Sequence, residues 1–257
     1  MKKTLFILTC LLFTGNLLFA QYMHFTTSGT ITFEKTSNIY ALITKQMNKD
    51  NEAFFQPVFD EYKKKYPQFK KAQSTLTFAN NKTLYTPIED PDNTQSNFFE
   101  VPMADQNNIT FTDMTLKSTV IQKKVFEETF LVKDSTRKIN WKITSETREI
   151  AGYTCRRANA IIMDSIYVVA FYTDQIHVSG GPESFTGLPG MILGVALPHE
   201  NVTWFATKVV DNAVPENTIV PPKKGKPVDN KGLATTLKTV LKNWEQEERL
   251  YLKAFLL

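Results

Sequence analysis

Gly180-Gly-Pro-Glu-Ser-Phe-Thr-Gly-Leu-Pro-Gly-Met-Ile-Leu-Gly194 packs five of the chain's ten glycines and two prolines into fifteen residues. Glycine reaches backbone angles closed to other residues, and proline holds φ near about −65°. Such a run dictates a main-chain path rather than a set of reactive groups. Pro189-Gly190 suits the centre of a type II turn, and Met191-Ile-Leu193 reads as the strand that leaves it. A functional alternative is a protruding apolar tip, Leu188 with Met191, that docks on a partner.

Strand patterns surround this run. Ile31 and Phe33 alternate with polar neighbours over 29–35, and residues 38–47 read as an extension of that strand. Phe55, Val58, Phe59, Tyr62 and Tyr66 recur at helical spacing and predict an amphipathic helix over 52–66 that Pro67 ends. Pro57 either starts that helix late or kinks it. Residues 74–79 and 82–87 flank Asn80-Asn81 as a hairpin, asparagine tolerating left-handed geometry, and 88–108 reads as a surface loop. Further strands are predicted over 109–114, 118–132, 138–150, 153–163, 165–172, 191–197 and 202–210, with turns at Lys133-Asp-Ser-Thr136, Ala151-Gly152 and Pro198-His-Glu-Asn201. Residues 213–232 carry four prolines and Lys223-Lys-Gly-Lys226 and read as a mobile linker. Leu233, Leu237, Val240, Leu241, Trp244, Tyr251 and Phe255 then form the stripe of one C-terminal helix. The predicted fold is mainly β (α+β): a single curved antiparallel sheet or half-barrel with an N-terminal-half helix and a C-terminal amphipathic helix.

Four segments carry a resemblance. Gly187-Leu-Pro-Gly-Met-Ile192, Ile150-Ala-Gly-Tyr-Thr-Cys155-Arg-Arg-Ala158, Val169-Ala-Phe-Tyr-Thr173 and Asn81-Lys-Thr-Leu-Tyr85 are similar to elements of the GLPGLI family, secreted proteins of Gram-negative envelopes. Met191 stands where that family's name has leucine, a swap of similar volume. The resemblance implies lineage and location and brings no activity.

The N-terminus agrees on location. Lys2-Lys3, an apolar stretch from Leu5 to Phe19 and the small Ala20 form a secretory signal peptide over 1–20, too short for a lasting membrane span. Residues 21–257 are read as a single β-rich domain in the periplasm or associated with the outer membrane. The formal charge falls from +4 to +2 once Lys2 and Lys3 leave. A balance that weak argues against nucleic-acid binding. Cys155 alone remains after cleavage, so no internal disulfide is possible. It reads either as a buried small hydrophobe or as an odd thiol whose pKa Arg156 or Arg157 lowers.

The residues show no catalytic constellation. His24, His177 and His199 have no partner at ligand spacing, and no Gly-x-Ser-x-Gly elbow is present. Asp164, Asp174, Glu183 and Glu200 are scattered near strand ends, whereas a glycosidase needs two carboxyls about 5–9 Å apart. The expectation is therefore a binding or accessory protein rather than an enzyme, with no metal or cofactor. Its partners would be an apolar ligand or an outer-membrane protein, at the membrane without spanning it. The candidate binding residues are Gly187, Leu188, Pro189, Gly190, Met191 and Ile192 of the turn, with Cys155 and Arg157 on the adjacent strand. The alternative is an envelope enzyme or metal protein using Cys155 with His177.

Overall fold

The structure is a computed structural model that describes residues 26–89, 99–244 and 246–257. The predicted leader over 1–20 lies outside them. β1 (Gly29–Asn38), β2 (Phe69–Ala79), β3 (Lys82–Pro87), β4 (Ile109–Asp113), β5 (Ser118–Val125) and β6 (Glu128–Ser135) form one antiparallel meander. β7 (Lys142–Ile150), β8 (Tyr153–Ile162), β9 (Ile166–Thr173), β10 (Met191–Leu197) and β11 (Val202–Asp211) form a second. β1 pairs with β11 and joins the two, while the short β12 (Lys226–Val228) lies parallel to β6. Among the described residues these twelve strands make one sheet, in the order β12-β6-β5-β4-β3-β2-β1-β11-β10-β9-β8-β7.

That order fixes the shape. β6 and β7 stand ten strand spacings apart; in a flat sheet, at about 4.8 Å per spacing, that would be roughly 48 Å. Only residues 136–141 connect them, and a bridge of that length reaches at most roughly 25 Å fully extended. The sheet must curl. This is the mainly β, curved sheet that the strand alternation predicts.

The concave face carries the core. Ile31 and Phe33 on β1, Leu76 on β2, Trp204 and Ala206 on β11, Val195 on β10 and Ala170 on β9 follow one another across paired strands, all buried. Fully burying a side chain of the Leu, Ile or Phe kind contributes about 1.5–3 kcal/mol. Helices α1 (Ile39–Thr44), α2 (Glu52–Lys65) and α3 (Pro102–Asp105) join this core through Ile43, Phe59, Tyr62 and Met103. A second cluster forms where α4 (Asn230–Leu241) and α5 (Gln246–Leu256) press Leu233, Leu237, Leu241, Tyr251 and Phe255 onto Ile121, Val125, Phe130 and Val132.

Several predicted elements change. The strand extension over 38–47 is instead α1, because the Asn38 side chain accepts from the Ala41 N–H and caps a helix. The single strand over 118–132 is two strands that turn at Phe126, whose φ of 52° is left-handed although it is not glycine. β6 accordingly runs through Lys133–Ser135, where a turn was expected. The predicted linker over 213–232 contains β12. The C-terminal helix is two helices, so that both apolar faces reach the same strands. α2 continues through Pro57, which is exposed, so the carbonyl left unpaired by the missing N–H can turn to water.

The glycine-rich run is the tightest part. Gly190 has φ +139°, and a Cβ placed there would lie 2.0 Å from the Thr173 carbonyl oxygen. The N–H of Gly190 bonds the Leu188 carbonyl two residues back, so the turn is tighter than the predicted type II. Gly190→Ala should cost roughly 1–3 kcal/mol for its backbone strain alone, before the clash is counted. Urea unfolding of the variant measures this.

Candidate functional site

β1 and β5 each put a lysine on the buried phase of their alternation. Lys35 follows Ile31 and Phe33, and Lys123 lies between Ile121 and Val125. Glu183 reaches the same interior from the glycine-rich run, held with φ 52°. Its Oε2 accepts from the Asn108 side-chain amide at 3.0 Å. Lys35 Nζ donates to the carbonyls of Ala104 at 3.0 Å and Gln106 at 2.9 Å, at the end of α3. Lys123 Nζ donates to the Phe255 carbonyl of α5 at 2.7 Å. Two cations and one carboxyl are thus enclosed, each tied to a different covering element.

Burial sets their protonation. Loss of water lowers Lys35 to about 8, opposed by the nearby Glu183 and Asp105. The same cause lowers Lys123 to about 8, opposed by Glu183 and reinforced by Arg137 and Lys35. Burial pushes the Glu183 carboxyl above the usual carboxylate range, against the pull of Lys35, Asn108 and Lys123. Tyr85, on the same face, is raised by burial and then by Glu183. Asn108 Oδ1, Thr110 Oγ1 and Gln106 Oε1 are buried with no hydrogen-bond partner. Positions 106, 108 and 110 alternate along the approach to β4, so these three side chains share one side of an extended segment.

A groove of about 450 Å³ opens beside this interior, between α3, the β5–β6 turn and α5. Its polar rim is Glu100, Asp105, Gln106, Asn107, Lys124 and Glu127, and its apolar wall is Phe126, Tyr251 and Phe255. Phe126 and Tyr251 stack at 5.7 Å with their planes 22° apart. The Tyr251 hydroxyl donates to Glu100 at 3.3 Å. Asp105 is held by Lys70 at 2.9 Å and the Gln106 amide donates to the Lys124 carbonyl at 3.0 Å, so Asn107 and Glu127 stand on the rim to meet a ligand beside the Tyr251-bonded Glu100. Aromatic faces beside carboxylates and side-chain amides suit a molecule with both C–H faces and hydroxyl groups.

The residues singled out from the sequence lie elsewhere. Leu188 and Met191 are buried, so the alternative of a protruding apolar tip is not formed. Gly187 packs on the Trp141 ring, Pro189 is exposed, Gly190 meets Thr173, and Ile192 is core. Cys155 is fully buried, its Sγ directed at the Tyr153 carbonyl at 3.5 Å. Arg157 pairs with Glu146 at 2.6 Å and bonds Asn159. His177 is exposed on the rim of another pocket with Asn80, Asn81 and Val214. The Cys155–His177 pair is therefore not formed. Among the described residues no group of three His, Cys, Asp or Glu side chains is placed to hold a metal ion. Sequence reading missed Lys35, Lys123 and the groove. A lysine on the apolar phase of a strand was the available signal for the first two.

The fold and groove define a curved, mainly β open sheet with a polar, aromatic-walled groove at one end. The sequence profile described as "N-glycanase peptide, N-terminal domain" matches residues 61–232, and the chain belongs to that family. Among solved structures, PNGF-II in its C2 crystal form aligns with a TM-score of 0.50 at 17% identity, over 85% of this chain and 33% of that one. Its P21 form gives 0.49 and 19%, over 86% and 34%. An uncharacterized conserved protein from Thermus thermophilus gives 0.38 and 6%, over 79% and 91%. The chain thus spans about a third of the PNGF-II chain. No curated protein matches it.

These findings correct the sequence reading. The family is the N-glycanase one, not GLPGLI. A six-residue turn signature reports a local main-chain requirement, which unrelated needs can meet, whereas the profile matches most of the sheet. Membership of the N-glycanase N-terminal-domain family also overturns the expectation of a non-catalytic binding or accessory protein. Export fits the family. Burial pushes the Cys155 thiol up to about 12, with Glu149 adding to it, rather than Arg156 or Arg157 lowering it. A thiol-specific reagent at pH 8 should therefore label the native protein negligibly and the urea-unfolded protein fully, as absorbance would show.

Proposed function

We propose that this chain acts in the hydrolytic removal of N-linked glycans from proteins, with the groove beside Glu100 and Tyr251 taking the glycosylated segment. The family match over 61–232 carries this reading, and the groove supplies the chemistry. Sugar rings offer C–H faces to the Phe126 and Tyr251 rings, and their hydroxyls donate to Glu100 and Glu127. Hydrolysis of the glycan–asparagine amide needs a base to take a proton from water and an acid to protonate the departing amine. Glu100 and Glu127 border the groove and are exposed to solvent, so they are the carboxylates with access to such transfers. Glu183 is enclosed and serves the interior instead. An exported protein of this kind would meet glycoproteins in the periplasm or at the outer membrane. Among the described residues no helix is long and apolar enough to cross a membrane.

The test uses an N-glycosylated peptide. Binding is measured by calorimetry, and hydrolysis by the mass change of asparagine to aspartate. The native protein should bind the glycopeptide better than its unglycosylated counterpart. Replacing Glu100 and Glu127 together by glutamine should weaken binding or turnover on the order of tenfold, equivalent to about 1.4 kcal/mol. Equal affinity for both peptides together with no hydrolysis would overturn the reading.

A further inference from the structure

Phe126 and Glu127, in the turn between β5 and β6, border two cavities at once. On one side they close the polar groove, and on the other they line a recess of about 300 Å³ against α4. Val125, Phe130, Leu237 and Val240 give that recess an apolar wall. The two compartments adjoin through a single turn and differ in chemistry, carboxylates and amides lining one and hydrocarbon the other. The partition between them is fixed. Phe126 has a left-handed φ of 52°, which an aromatic residue seldom adopts, and such a conformation persists only where the surroundings hold it. Trp244, Tyr251 and Phe255 do so, with ring centres 5.6, 5.7 and 5.2 Å from the Phe126 ring.

We propose that the recess takes an apolar side chain of the polypeptide that carries the glycan, so that one glycosylated segment fills both compartments. This rests on the reading of the groove as the glycan site. A glycan that enters the groove brings its asparagine and the flanking chain to the rim, and the recess begins at the same turn. Hydrocarbon walls gain by exchanging water for hydrocarbon, and apolar side chains are the hydrocarbon part of such a ligand. At about 300 Å³ the recess is at the small end for a ligand site, a size for a side chain rather than for a second whole ligand. Glu127, common to both compartments, offers carboxylate oxygens to the backbone N–H groups of a segment crossing the turn. In an extended segment, side chains two residues apart share a face, roughly 7 Å from one another. The residue two after a glycosylated asparagine is serine or threonine. The residue two before it is therefore the one free to send an apolar side chain to the recess.

Calorimetry with three peptides tests this: a glycopeptide with leucine two residues before the asparagine, the same glycopeptide with serine there, and the leucine peptide without its glycan. The native protein should bind the leucine glycopeptide on the order of tenfold more tightly than the serine one, as partial burial of a leucine side chain provides. Val240→Gln makes one wall of the recess polar. Val240 is 54% exposed and glutamine is the better helix former, so α4 keeps its fold. In that variant the leucine-to-serine ratio should fall to within about twofold of one. A native ratio near one, while both glycopeptides still bind better than the bare peptide, overturns the recess proposal and leaves the groove reading standing. A ratio that Val240→Gln leaves unchanged also overturns it. Glycosylated and bare leucine peptides that bind alike overturn the groove reading and the recess proposal together. Light scattering of the free protein covers the other occupant: a native dimer that Val240→Gln splits would put a second copy of the chain on the recess and overturn the proposal.

Discussion

Residues 136–141 bridge strands that a flat sheet would hold far beyond their reach. The rest of the architecture depends on this short tether. Because it forces the sheet to curl, the chain acquires a concave face that water must leave. Apolar side chains from β1, β2, β9, β10 and β11 fill most of it. The tether also passes close over what fills the bowl, since the Trp141 indole N–H bonds the Thr186 carbonyl at 2.9 Å.

The glycine-rich run lies against this interior as a plug. Phe185 packs on Trp204 with ring centres 6.2 Å apart, and Ser184 donates to the Leu257 carbonyl at the end of α5. The absence of side chains at Gly180 and Gly190 is what allows the backbone so close. A Cβ on Gly180 would stand 2.7 Å from the Thr83 methyl. The run therefore performs a structural task, as its composition suggests, but with an acidic side chain carried inside it. Glu183 turns a packing device into an electrostatic one, because it is enclosed with Asn108 within the influence of Lys35 and Lys123, where no solvent moderates the interaction.

Strand identity was legible where side chains alternate. Ile31 and Phe33 mark β1, Asn80-Asn81 mark the β2–β3 hairpin, and both asparagines are left-handed, at φ 50° and 56°. Legibility failed where geometry depends on distant partners. Phe126 makes a turn that its own residue type disfavours, because its ring is fixed between Trp244, Tyr251 and Phe255. The short β12 exists only because β6 offers a free edge. The interior charges were hidden for a different reason. Lys35 and Lys123 look like ordinary polar residues unless the strand phase is traced through to the last position, and Glu183 sits in a run whose glycines draw the eye to backbone. The groove is assembled from α3, the β5–β6 turn and α5, so no contiguous segment announces it. The signature turn, by contrast, was legible as a shape and misleading as a family label.

β1 comes early in the chain yet completes the junction with β11, which arrives roughly 170 residues later. Until that late strand is available, the first meander has an open edge at β1 and the second lacks its anchor. Assembly of the whole sheet must therefore wait for nearly all of the polypeptide to be present. A ribosome or a translocation pore that delivers the chain from its N-terminus would hold β1 paired with β2 but with its other edge open for most of the process. Shielding that edge from other chains is then a condition of successful maturation.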